Sequence, residues 1–123
     1  MRGASALQTA LDEKREAPLR VFVIWERVLP SDWPTPNTKT LARIWDLRAV
    51  QYWDRGRALS EFMRATYSGN KSELPDIIWD VVAIYPKGAR WDNSLPANSY
   101  FDGPVVEVMT EFRKQLSSAL AQK

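Results

Sequence analysis

Apolar positions along the chain follow two patterns, helical spacing and unbroken runs. Ala4, Leu7 and Leu11 recur on one helix face, and charges crowd Asp12 to Glu16. This predicts a short amphipathic helix that stops before Ala17-Pro18, because the residue ahead of a proline is pushed out of the helical region. Leu19-Arg20-Val21-Phe22-Val23-Ile24-Trp25 is dominated by β-branched and aromatic residues. It predicts a strand buried on both faces. Pro30, Pro34 and Pro36 make Glu26 to Asn37 a loop. Thr38 is placed to cap a helix carrying Leu41, Ile44 and Trp45. Leu47 to Asp54, with Val50, Tyr52 and Trp53, fits a short strand or a helical turn. Gly56 to Thr66 returns to helical spacing at Leu59, Phe62 and Met63, and Ser68 to Ser72 is a polar turn.

Ile77 to Tyr85 is a second apolar run and predicts a second strand buried on both faces, ended by the turn residues Pro86-Lys87-Gly88. Ala89 to Asp102 is irregular, with room for one edge strand near Ala89-Arg90-Trp91 or Ser99-Tyr100-Phe101. Gly103-Pro104 opens the last helix, where proline suits the first turn. Its stripe is Val105, Val108, Met109, Phe112, Leu116 and Leu120. A helix followed by a buried strand suggests a parallel α/β unit, provided another strand precedes the helix, where this sequence has only three residues. The elements together predict an α/β fold, and 123 residues suit one domain spanning 1–123.

Composition narrows the chemistry. The chain has no cysteine and no histidine. Thiol nucleophiles, disulfides, imidazole acid–base catalysis and the usual zinc ligands are thereby excluded, as is a Ser-His-Asp triad. Five glycines, none in a run, give no phosphate-binding loop. Lys plus Arg number 17 against 15 Asp plus Glu, interleaved without a basic stripe, so no nucleic-acid partner is expected. No apolar run reaches the roughly 20 residues that span a bilayer, so no membrane partner is expected. No stretch of signal-peptide type occurs near the start, and a cytoplasmic location is the default expectation. No cofactor and no metal is expected. The six Trp are the unusual count, since Trp anchors cores and interfaces. Trp-Asp occurs at 45, 53, 79 and 91, too irregularly for a propeller repeat.

Several strings resemble small bacterial thioredoxin-like proteins. They are Val21 to Trp33, Ile78 to Pro86, Gln51-Tyr52-Trp53-Asp54 and Gly103-Pro104-Val105-Val106. The resemblance covers most of the chain from Leu19 onward. It implies a three-layer α/β/α fold with a mixed sheet, in which a central first strand and the redox cysteines precede the first helix. Here Met1-Arg2-Gly3-Ala4-Ser5 occupies the helix start without a cysteine, and Ser5 is no substitute for a thiol. The resemblance therefore implies the distal part of a thiol–disulfide redox protein, redox-inactive as written and lacking its first strand. The two apolar strands, antiparallel to each other in that fold, would either pair directly by closing the gap or be left with open edges that favour self-association. Pro75 is the counterpart suggested for the cis-proline of thioredoxins. The alternative reading is a non-catalytic protein-binding or oligomerisation module with a Trp-rich surface.

Candidate residues follow from placement. Asp80, in the middle of the second predicted strand, is a candidate buried acid with a raised pKa. Glu26 lies at the carboxyl end of the first strand, where α/β folds gather ligands, and would pair with Asp80 or Asp32. The alternative for both is a solvated or hydrogen-bonded structural carboxylate. Trp25, Trp33, Trp79 and Trp91, with Arg27 and Arg90 nearby, are candidate partner-binding residues. The alternative places Trp25 and Trp79 in the core and Trp33 against the proline-rich loop.

Overall fold

The computed structural model describes residues 2–29, 34–66 and 75–122. In chain order they form α1 (Arg2–Asp12), β1 (Val21–Glu26), α2 (Thr38–Leu41), β2 (Ala49–Asp54), α3 (Ala58–Thr66), β3 (Val82–Ile84), β4 (Tyr100–Asp102) and α4 (Val105–Ala121). The described residues mix helices with short strands, an arrangement compatible with the expected α/β class. The expected single sheet is corrected to two separate ones. β1 pairs in parallel with β2, Val21 opposite Ala49 through Glu26 opposite Asp54, and β3 pairs antiparallel with β4.

The core is built by the apolar stripe of α4. Val105, Met109, Phe112 and Leu116 are buried against Ala10 of α1 and Ile84 of β3, with Leu7, Leu19 and Val82 packed around them. Helix α1 therefore lies on α4, and α4 lies on the β3–β4 pair.

The β1–β2 pair is tied to α1 by polar side chains. Gln8 is 1% exposed on α1, and its Oε1 accepts from the backbone N–H of Trp45 at 2.9 Å and of Asp46 at 3.1 Å. Arg48 closes the other end of α1. Its Nη1 donates to the carbonyls of Lys14 and Ala17 at 2.7 and 2.9 Å, and its Nη2 to that of Leu11 at 3.1 Å. These carbonyls, in the last turn of α1 and the turns after it, also accept the backbone N–H groups of Lys14, Ala17 and Leu19, so the guanidinium is a second partner to each. The guanidinium also grips Asp46 through both oxygens, at 2.9 and 2.6 Å, and these bonds hold the Asp46 carboxyl below its ordinary value of 3.8. The stability that this pair contributes is present above that ordinary value and is lost as pH falls through the lowered one. Arg48→Met removes three bonds to the carbonyls of Leu11, Lys14 and Ala17 and leaves a carboxylate that is 8% exposed without its cation. The expected loss is about 2 kcal/mol in denaturant unfolding at neutral pH. A loss under a few tenths would contradict this role.

Three local expectations change. Asn37, not Thr38, caps α2, its Oδ1 accepting from the N–H of Thr40 at 2.9 Å. The first strand is not buried on both faces, since Phe22 is 60% and Ile24 36% exposed. The second apolar run is a strand only over Val82–Ile84. The N–H of Ile78 is taken by the Ser60 hydroxyl at 3.0 Å, and Asp80 has a φ of 52°, a left-handed conformation that a strand does not continue through.

The edges of β1 bear on function. The N–H of Val21 donates to the carbonyl of Arg48 on the β2 side. Strand alternation then turns the N–H groups of Val21, Val23 and Trp25 toward β2, and those of Phe22, Ile24 and Glu26 toward the other edge. Among the described residues no strand pairs with that edge, and β3 has no strand partner besides β4.

Candidate functional site

The site is assembled where β1 ends. Cross-strand register sets Glu26 beside Asp54 at the carboxyl ends of the two parallel strands. Asp54 caps α3, accepting from the N–H of Ala58 at 2.9 Å and of Leu59 at 2.8 Å. The first turn of α3 then delivers Ser60, which is 2% exposed. Its hydroxyl donates to Glu26 Oε1 at 2.6 Å and accepts from the N–H of Ile78. Ser60 thus joins the exit of β1 to the segment that enters β3. Arg57 sits at the same end, its Nε donating to the carbonyl of Arg27 at 2.7 Å.

Burial at this strand end pushes the Glu26 carboxyl above its ordinary value of 4.5. The Ser60 hydrogen bond pulls the other way, the Asp54 charge adds to the rise, and Arg57 opposes it. An acid raised in the folded state contributes stability that is complete below its unfolded pKa and is lost as pH rises through its folded pKa. Glu26→Gln keeps an acceptor for Ser60 without the charge. The variant is therefore expected to gain stability relative to the parent as pH rises above about 4.5. Unfolding midpoints of both chains between acid and neutral pH test this, and a parent favoured increasingly by rising pH would contradict it.

The second half of the site lies at the entry to β3. Asp80 is exposed and outside any strand, so its assignment as a buried acid is corrected. Its Oδ1 accepts from the N–H of Val105 at 3.2 Å and so caps α4. The same oxygen would lie 3.1 Å from a Cβ built on Gly3, as would the Cβ of Val105. The first turn of α1, the entry to β3 and the first turn of α4 therefore meet around Asp80. Asp54, not Asp80, is the carboxylate beside Glu26, and Asp32 lies outside the described residues.

The tryptophans are spread apart. Trp25 is half-buried and donates its indole N–H to Gln51 Oε1 at 2.8 Å, while the Gln51 amide donates to the carbonyls of Leu41 and Ile44. Trp79 is 56% exposed, which corrects its placement in the core. Trp91 stacks on Phe62 at 6.3 Å and meets Tyr85 edge-on at 5.4 Å. Ser60 draws the segments of Trp25 and Trp79 to one end of the molecule, and Trp91 belongs to a separate aromatic cluster on α3. Trp33 lies outside the described residues, as does the residue that precedes Pro75. Among the described residues the cis proline bond is Gly103-Pro104.

Sequence reasoning missed Ser60, Gln8 and Arg48. A buried serine or glutamine gives no periodic signal, and Arg48 reads as an ordinary surface charge. A hollow of about 330 Å³ between α1 and residues 45–48 is lined by Gln8, Asp12, Arg15, Trp45, Asp46, Leu47 and Arg48. Of these, Gln8, Asp46 and Arg48 are committed to the bonds described above. Among the described residues no group of three His, Asp or Glu is placed to hold a metal, and no helix is long and apolar enough to cross a membrane. The chain matches no protein-family model, no curated protein and no solved structure.

Proposed function

We propose that this chain is the strand-accepting, distal part of a thioredoxin-like redox protein, itself without thiol chemistry. The observation that carries the reading is the pair of separate two-stranded sheets. In the thioredoxin fold the strands corresponding to β1 and β3 flank a central strand that leads into the first helix. Here Ser60 holds the exit of β1 against the segment entering β3, so the two strands run in opposite senses from a common end. The first turn of α1 reaches that same end at Asp80. A strand lying between β1 and β3, and leading into α1, would run parallel to β1 and antiparallel to β3. It would bring its last residues to the α1 N-terminus, whose dipole lowers a thiol pKa.

The test is a version of the chain preceded by an apolar strand of about six residues that ends in a cysteine pair at the start of α1. The reading predicts thiol–disulfide exchange activity and a higher unfolding midpoint than the 123-residue chain. Equal midpoints together with no exchange activity would overturn it. The exposure of Trp79 and Trp91, at 56% and 43%, favours a second reading, a protein-binding module. That reading predicts no gain of exchange activity from the added strand.

A further inference from the structure

Alternate residues of a strand stand on one face, and the β1–β2 register sets Phe22 beside Val50 and Ile24 beside Tyr52. These four are 60, 48, 36 and 51% exposed, in that order. The opposite face is the one that carries Gln51 and Trp25 toward α2. One side of the parallel pair is thus an apolar patch open to solvent, of the kind that marks an interaction surface.

The two ends of this patch carry opposite charge. By the same alternation Arg20 extends the row ahead of Phe22, and it makes no ion pair among the described residues. At the far end Glu26 and Asp54 set two carboxylates against the guanidinium of Arg57. Each carboxylate keeps lone pairs beyond those used by Ser60 and the α3 amides.

We infer that this face is the contact of a two-fold dimer, with two copies laid face to face and their β1 strands antiparallel. A two-fold interface joins a surface to itself, so the surface must be self-complementary. An apolar centre with a cation at one end and carboxylates at the other meets that condition. Turning one copy by half a revolution places Arg20 over Glu26 and Asp54 of the other, about 20 Å along the strand, and sets Phe22 against Ile24. Four apolar side chains with charged flanks fall well short of the roughly 20–30 residues that each partner gives to a standard stable interface. The dimer is therefore weak, forming between micromolar and millimolar concentration. The inference rests on the face of the β1–β2 pair and not on its edges, so it stands or falls separately from the strand-accepting reading.

Sedimentation equilibrium of the whole chain from micromolar to near-millimolar concentration tests it. The expected result is a monomer–dimer equilibrium that Phe22→Lys abolishes and Arg20→Glu weakens about tenfold at low salt. Both positions are exposed, and an unchanged circular dichroism spectrum checks that the variants fold. Should Phe22→Lys fail that check, Arg20→Glu alone reads the interface. A chain that stays monomeric throughout would overturn the inference. So would a dimer indifferent to both substitutions, the outcome expected for pairing through open strand edges.

Discussion

Phe112→Ala is expected to cost about 3–5 kcal/mol, a large share of the roughly 5–15 kcal/mol that holds a domain folded. Phe112 is 4% exposed in the middle of the α4 stripe, and its ring lies 6.3 Å from that of Tyr100 on β4. It packs in the cluster that joins α1, α4 and β3, so removing it opens a cavity where all three meet. The neighbours that line this cavity sit on different elements and cannot collapse together without moving α4. The denaturant midpoint of the variant checks this. A loss under about 1 kcal/mol would mean that the core does not lie between these helices and the β3–β4 pair.

Gly103→Ala is expected to cost about 3 kcal/mol, at the upper end of the range for overpacking. A Cβ on Gly103 would overlap the backbone carbonyl oxygen of Asp80 and lie 3.1 Å from Cγ1 of Val81. A flexible side chain can yield to a methyl group, but a carbonyl moves only with its chain. That chain is the segment entering β3, and displacing it also pulls Asp80 from the N–H of Val105. Gly56→Ala is the control, because nothing lies within 4 Å of its Cβ position and the expected change is near zero. Comparable losses for the two variants would show that the cost does not come from the close approach at Asp80, since the loss of unfolded-chain entropy on Gly→Ala favours the folded state in both.

How much of this was legible in the sequence depends on what each residue does. The α4 stripe was legible because a helix that buries one face repeats its apolar residues every three or four positions. β1 was legible as a strand but not in its exposure. A run of Val, Phe and Ile carries the same propensity whether its second face is covered or open, and here Phe22 and Ile24 are open. β2 stayed ambiguous because its inward position 51 is a glutamine. Gln51 faces the end of α2 to satisfy the carbonyls of Leu41 and Ile44, and that masks the alternation a strand would otherwise show. The second apolar run was overread. Asp80 interrupts it, and the backbone N–H of Ile78 goes to Ser60, a partner fixed only by tertiary placement.

The site was half legible. Glu26 was placed at the end of a strand by chain order alone, and the structure puts it there with a raised pKa. Its neighbours Asp54 and Ser60 come from other segments, and only the parallel register and the α3 cap bring them in.

The central claim is that β1 carries an open edge fitted to receive a strand. Amide hydrogen exchange along β1, at a concentration where the chain is monomeric, tests it most directly. The amides of Val21, Val23 and Trp25 face β2 and are predicted to be protected. Those of Phe22, Ile24 and Glu26 face the open edge and are predicted to exchange nearly as fast as in an unfolded chain. Equal protection of both sets would mean that the edge is already paired, and the strand-accepting account would fail.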